Sequence, residues 1–151
     1  MDRGERTKDV LTCTALAVAT AVAYAPALRG AFLTYDDDVY VTANAHVQHG
    51  LTGESLRWAG TATHAANWHP LTWISHMIDW SLFGAVPAGH HAVSVAIHVV
   101  STVLLYRVLR AATGTAGRSA FVAGASFSVI CLYSAAIAAS SCLNPLFTAT
   151  C

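Results

Sequence analysis

Three stretches of this chain carry no charged side chain. They run from Val10 to Leu28, from Ala92 to Tyr106 and from Ser119 to Cys151. A helix needs about 20 mostly apolar residues to cross a bilayer. The first and third runs meet that length, and the second does if Arg107 extends its stem to the interface. In hydrocarbon the backbone must satisfy its own hydrogen bonds, so each run predicts a helix. Alanine, glycine, serine and threonine are frequent in all three, which predicts close packing on other helices. A helix of a soluble protein shows a polar stripe, and these runs show none. The expected fold class is all-α: a polytopic membrane protein with two or three transmembrane helices and a long outer loop carrying short interfacial helices. The expected segments are an N-terminus over 1–9, spans over 10–28, 90–109 and 119–140, an outer loop over 29–89, an inner loop over 110–118 and a tail over 141–151.

Charge sets the orientation. Arg3, Arg6 and Lys8 precede the first run, and Arg107, Arg110 and Arg118 stand between the second and third with no acid among them. Residues 30–88 carry Asp36, Asp37, Asp38, Glu54 and Asp79 against Arg57 alone. Basic residues mark the cytoplasmic side, so the N-terminus is expected in the cytoplasm and the long loop outside. A cleaved signal peptide is the rival reading of the first run, since Ala21-Val22-Ala23 and Ala25-Pro26-Ala27 would suit a signal peptidase. The loop lies outside in either case.

Composition agrees and adds exclusions. The chain is 55% hydrophobic and 11% charged, against roughly a quarter charged in soluble domains. Net charge is zero, so no basic field points to nucleic acid. The cysteines at 13, 131, 142 and 151 form no CxxC pair, which is neither a zinc ribbon nor a disulfide framework.

All four tryptophans, Trp58, Trp68, Trp73 and Trp80, fall in the long loop. Leu71, Trp73, Ile74, Met77, Ile78 and Trp80 dominate a stretch too short to span, which predicts a helix lying in the membrane interface. A second short helix is expected over Glu54 to Ala59. The tryptophans themselves are expected to anchor the loop at the boundary, where indole rings collect.

Just past the first run comes Tyr35-Asp36-Asp37-Asp38. Three adjacent carboxylates repel one another. Binding a divalent cation through hard oxygens, or general-base chemistry on a substrate hydroxyl, would explain the cluster, and a solvated acidic turn is the plainer alternative. Its place near the membrane exit favours a lipid-linked substrate, whose headgroup would sit there.

Phe32 through Asn44, read F-L-T-Y-D-D-D-V-Y-V-T-A-N, resembles the first-loop motif of GT-C fold glycosyltransferases. The nearest subgroup is the protein O-mannosyltransferase-like proteins with tetratricopeptide repeats, including their bacterial relatives. The resemblance continues through Asn67-Trp68-His69-Pro70-Leu71-Thr72-Trp73, Ile74-Ser75-His76, Leu82-Phe83-Gly84, His90-His91 and His98, over about residues 10 to 122. It implies a polyprenyl-phosphate sugar donor, a hydroxyl acceptor on a protein Ser/Thr or a glycan, and inverting transfer at the outer face. It places the paired catalytic acids on Asp36, the first choice for base, and Asp37, which would orient the acceptor or bind an ion. Asp38 is an extra acid common in the bacterial type. The leaving phosphate needs positive charge or hydrogen-bond donors, for which Arg57, His69, His90 and His91 are the candidates. His98, inside the second span, is expected to make an interhelical hydrogen bond.

The chain departs from that family near its end, where Ser126-Phe127-Ser128-Val129-Ile130-Cys131 replaces an outer loop with His-Pro and acidic residues. No helical-repeat period is present. An N-terminal fragment with an altered end, inactive alone, is the expectation. No cofactor is required by these residues beyond a divalent cation as an option, and the expected location is a bacterial inner membrane rather than the endoplasmic reticulum. A second reading is a metal-binding membrane protein using His64, His69, His76, Asp79, His90 and His91, with Asp36, Asp37, His69 and His76 as the alternative ligand set. His69 and His76 stand seven residues apart and His76 and Asp79 three apart, a spacing that would put all three on one helix face. A third reading is a small non-enzymatic membrane protein whose spans bind partner helices.

Overall fold

The computed structural model describes residues 2–32, 37–64 and 68–126. Every element among them is helical. Helix α1 covers Arg3–Tyr24 and runs into a 3-10 turn over Ala25–Arg29. A π-helical turn over Asp38–Thr42 leads to α2 (Ala45–Gln48), α3 (Gly53–Thr61), α4 (Pro70–Phe83) and α5 (Pro87–Thr113). A further helix, α6, runs from 116 to 126. Two segments, Arg3–Arg29 and Pro87–Thr113, are long and apolar enough to cross a bilayer. Both extend beyond the spans read from charge, because charged residues at their ends join the helices. Leu71 to Trp80 and Glu54 to Ala59 fall inside α4 and α3, as expected. The third expected span lies within the described residues only as far as 126, and the tail over 141–151 lies outside them.

The chain forms two compact units, one from Met1–Tyr24 together with the chain from Ala96 onward, the other from Ala25–Val95. In the first, α1 and α5 are antiparallel. Asp9 near the start of α1 accepts hydrogen bonds from Tyr106 Oη at 2.8 Å and Arg110 Nε at 3.1 Å, and Glu5 pairs with the Arg110 guanidinium at 2.6 Å. At the other end the rings of Tyr24 and His98 meet edge to face at 4.8 Å. Thr20, Thr102, Ser119 and Ala123 are buried. The hydroxyls of the first three donate to Leu16, His98 and Thr115 carbonyls on their own helices at 2.7–2.9 Å. Satisfied locally, these small side chains let helices approach closely. Val10, Leu11, Val18, Val22, Ile97, Val100, Leu104, Val108 and Phe121 stay exposed, as an apolar solvent would require.

The second unit is a small helical cluster with its own core. Asn44 caps α2 by accepting from the His46 and Val47 amides, and Thr52 caps α3 by accepting from Ser55. Such caps satisfy backbone donors that a helix leaves open at its start. Pro70 begins α4, where its missing N–H costs nothing, and Gly84 with φ 57° ends it. Trp73 and Met77 of α4, Val47 of α2 and Ala59 of α3 are fully buried, with Tyr40, Trp58, Ile74 and Trp80 packed around them. Gly50 with φ 68° brings the chain so close to α4 that a Cβ would meet Ser81 Oγ at 2.6 Å.

This core corrects the reading of the tryptophans as boundary anchors. Trp73 has no exposed surface. Its ring stacks on Tyr40 at 4.8 Å and lies 5.2 Å from Trp58, 5.4 Å from His69 and 5.5 Å from His64. Trp68 alone among the four is mainly exposed, its Nε1 donating to Gly60 O at 3.0 Å. The cause is the period of α4. Positions 73, 77 and 80 face the core, while Leu71, Ile78 and Leu82 form a second, exposed apolar stripe. An interfacial helix needs such a stripe, and α4 carries it on a face away from the core.

Trp73→Ala is expected to destabilise the second unit by about 3–5 kcal/mol, and Trp68→Ala by under about 1 kcal/mol. Denaturant unfolding in detergent, followed by resistance of the 45–83 region to proteolysis, checks the contrast.

Candidate functional site

The acidic turn is built from its own backbone and from α4. Asp37 stands at the start of the π-helical turn, and its carbonyl accepts from Thr42 Oγ1 at 3.4 Å. Asp38 Oδ1 accepts from the Val39 amide at 2.8 Å. Gln48 Nε2 donates to Thr42 O at 2.6 Å and holds the end of the turn to α2. A π-helical turn is uncommon and concentrates at functional sites. Here it turns Tyr40 onto Trp73 and brings its hydroxyl within 3.3 Å of His69 Nε2. Asp36 lies outside the described residues.

A second group of polar side chains gathers along the same helix, its His76 ring lying 6.3 Å from that of Tyr40. His76 and Asp79 project from one face of α4, and His90 from the first turn of α5. One ligand atom from each lies within 4.8 Å of the other two. Asp79 and His90 are buried and His76 is partly so. The 84–87 connection makes this possible, since His90 Nε2 donates to Gly84 O at 2.9 Å. The Nδ1 lone pair of that ring is then free, and Nδ1 is buried without a partner among the described residues. The Nδ1 of His76 is in the same condition. The rings of Phe32, Trp80 and Phe83 wall His90 at 5.3, 6.3 and 6.5 Å.

Burial dominates the electrostatics. It holds the His76 imidazole below its ordinary value, opposed by the charge of Asp79 and more weakly by that of Asp37. It pushes the Asp79 carboxyl up, opposed by His90 and His76. A neutral imidazole and a protonated carboxyl are the forms that low-dielectric surroundings favour.

Of the residues singled out from sequence, Asp37, His69, His76, Asp79 and His90 come together around α4. His91 turns toward Phe32 at 6.3 Å and lies beside Gly30. His64 joins the aromatic core against Trp58 and Trp73. Arg57 is exposed on α3. His69 precedes α4 rather than lying on it, so it does not share the face of His76 and Asp79. His98 contacts α1 through the Tyr24 ring. Sequence reasoning gave no role to Tyr40, Phe32 or Gly89. Gly89 was legible as a glycine beside a histidine pair. A Cβ there would meet the Phe83 ring at 2.3 Å, so only glycine lets the first turn of α5 approach α4.

Gly89→Ala is expected to cost about 1–3 kcal/mol by overpacking, and to move His90 from Asp79, visible as an altered His90 ring resonance. The pH dependence has a definite sign. Because folding depresses the His76 value, the unfolded chain takes up its proton first, and stability falls as pH drops through the ordinary imidazole range. Asp79 acts oppositely: its raised value adds stability as pH falls through it toward the ordinary carboxylate range. Melting of chelator-treated protein between about pH 7.5 and 5.5 should therefore show a loss that His76→Gln removes.

Comparison of the chain with protein-family models, with curated proteins and with solved structures returned no match, so its chemistry is argued from these side chains and the surfaces around them.

Proposed function

We propose that this chain carries the first outer loop and flanking spans of a membrane glycosyltransferase. It would move a mannose-like sugar from a polyprenyl-phosphate donor to a hydroxyl acceptor at the outer membrane face. The observation that carries the reading is the acidic turn. Asp37 follows Arg29, where the first candidate span ends, by eight residues, and Tyr40 in the same turn is stacked on the buried Trp73. Carboxylates on a rigid support close in sequence to a span suit a substrate whose reactive end is tethered to lipid. The resemblance of residues 32–44 and 67–76 to GT-C first-loop motifs supports the same assignment.

The acceptor hydroxyl must lose its proton as it attacks the anomeric carbon, and Asp36 is the base that takes it. Asp37 orients the acceptor or binds a divalent ion. One displacement opposite the leaving phosphate inverts the sugar. The lipid phosphate departs toward hydrogen-bond donors, for which His69, held by Tyr40, is better placed than the exposed Arg57. The exposed stripe of Leu71, Ile78 and Leu82 would hold the loop on the bilayer surface.

The test compares membranes carrying the intact gene with membranes carrying Asp36→Asn or Asp37→Asn at the same locus, each supplied with radiolabelled polyprenyl-phosphate mannose. Transfer should fall by about 10²-fold or more for Asp36→Asn, with protein levels unchanged. Undiminished transfer in both variants, or labelling of a cysteine at position 36 only from the cytoplasmic side, would overturn the proposal.

A further inference from the structure

We propose that His76, Asp79 and His90 form a binding site for a divalent transition-metal ion, zinc in particular, with three protein ligands and one open position. The site adjoins the acidic turn, the His76 ring lying 6.3 Å from that of Tyr40, but its ligands are other residues and it does not depend on the sugar-transfer reading.

Four observations converge on it. The donors are two imidazoles and one carboxylate, with a ligand atom of each within 4.8 Å of the others. That set suits zinc and its neighbours, whereas calcium takes six to eight oxygens. Second, the hydrogen bonding of His90 suits a metal ligand. His90 commits Nε2–H to the Gly84 carbonyl at 2.9 Å and keeps an unpartnered Nδ1, which is the outer hydrogen bond that fixes the tautomer of a ligating histidine. Third, the unfilled arrangement is costly. His90 is 6% exposed and Asp79 4% exposed, and among the described residues no hydrogen bond satisfies either imidazole Nδ1. Leaving a buried polar group unsatisfied is destabilising, and coordination would offset it. Fourth, Phe32, Trp80 and Phe83 shield the site on the His90 side, while the part-exposed His76 leaves a route for entry.

The geometry also states what binding must do. Zinc bonds of about 2.0–2.1 Å in a tetrahedron put ligand atoms about 3.3 Å apart. The three groups therefore close by at most about 1.5 Å on loading, drawing the first turn of α5 onto α4. Water or another oxygen donor completes the shell. The ion would thus fasten α4 to the start of the second candidate span.

Full-length chain in detergent, stripped with chelator and dialysed against zinc chloride, provides the test. One zinc per chain should remain after desalting. X-ray absorption at the zinc edge should show nitrogen and oxygen at about 2.0–2.1 Å and no sulfur shell near about 2.3 Å. His90→Gln and Asp79→Asn should each weaken binding at least tenfold, while His46→Gln, whose ring stacks on Trp58 at 4.6 Å away from the site, should bind as the unaltered chain does. Absence of retained zinc, sulfur in the shell, or equal retention by all variants would overturn the assignment. Where a variant fails to fold, the absorption spectrum of the unaltered chain decides alone.

Discussion

Burial of the Trp73 indole organises the segment between the two candidate spans. Its ring takes the stacking surface of Tyr40 on one side and lies against Trp58, His64 and His69 on the others. Tyr40 belongs to the acidic turn and Trp73 to α4, so one aromatic contact joins the carboxylates to the helix that bears His76 and Asp79. The stack is short-range and apolar, hence insensitive to salt, and aromatic pairs add to plain area burial. Among the described residues the stack ties the Asp38–Thr42 turn to α4. That is the arrangement a functional constellation needs, with side chains held by packing rather than by flexible loop backbone.

Polar groups inside apolar surroundings follow two different solutions here. Between α1 and α5, Asp9, Glu5, Tyr106 and Arg110 satisfy one another directly. The threonines and serine buried beside them return their hydroxyls to their own helices. Around His76, Asp79 and His90 no such closure exists among the described residues, although the cost of leaving it open is similar. The first pattern is that of a helix pair stabilised in a medium without water. The second leaves the Nδ1 atoms of His76 and His90 open among the described residues, as the proposed metal site requires.

The exposed surfaces complete the picture. Apolar side chains of α1 and α5 point outward, and α4 adds its own exposed stripe. One helix therefore shows three kinds of position in turn: core, polar cluster and exposed apolar face. The 3.6-residue period separates them cleanly because Trp73 and Met77, His76 and Asp79, and Leu71, Ile78 and Leu82 fall in different sectors.

Much of this was legible in the residues. Long uncharged runs predict helices because hydrocarbon and protein interiors alike demand internal backbone pairing, and that demand is local. Caps at Asn44 and Thr52, the stop at Gly84 and the pairing of His76 with Asp79 three residues on are likewise local. Other features depended on contacts between distant segments. Trp73 and Trp68 have the same side chain in the same loop, yet one is buried and the other open, because burial depends on what packs opposite. His90 joins Asp79 only because Gly84 turns the chain and Gly89 leaves room beside Phe83. The sequence by itself determined where helices form and which of their faces are apolar. The tertiary structure alone decided which aromatic became the core and which histidines meet a carboxylate, since closing distances between segments far apart in the chain is set by packing and not by pattern.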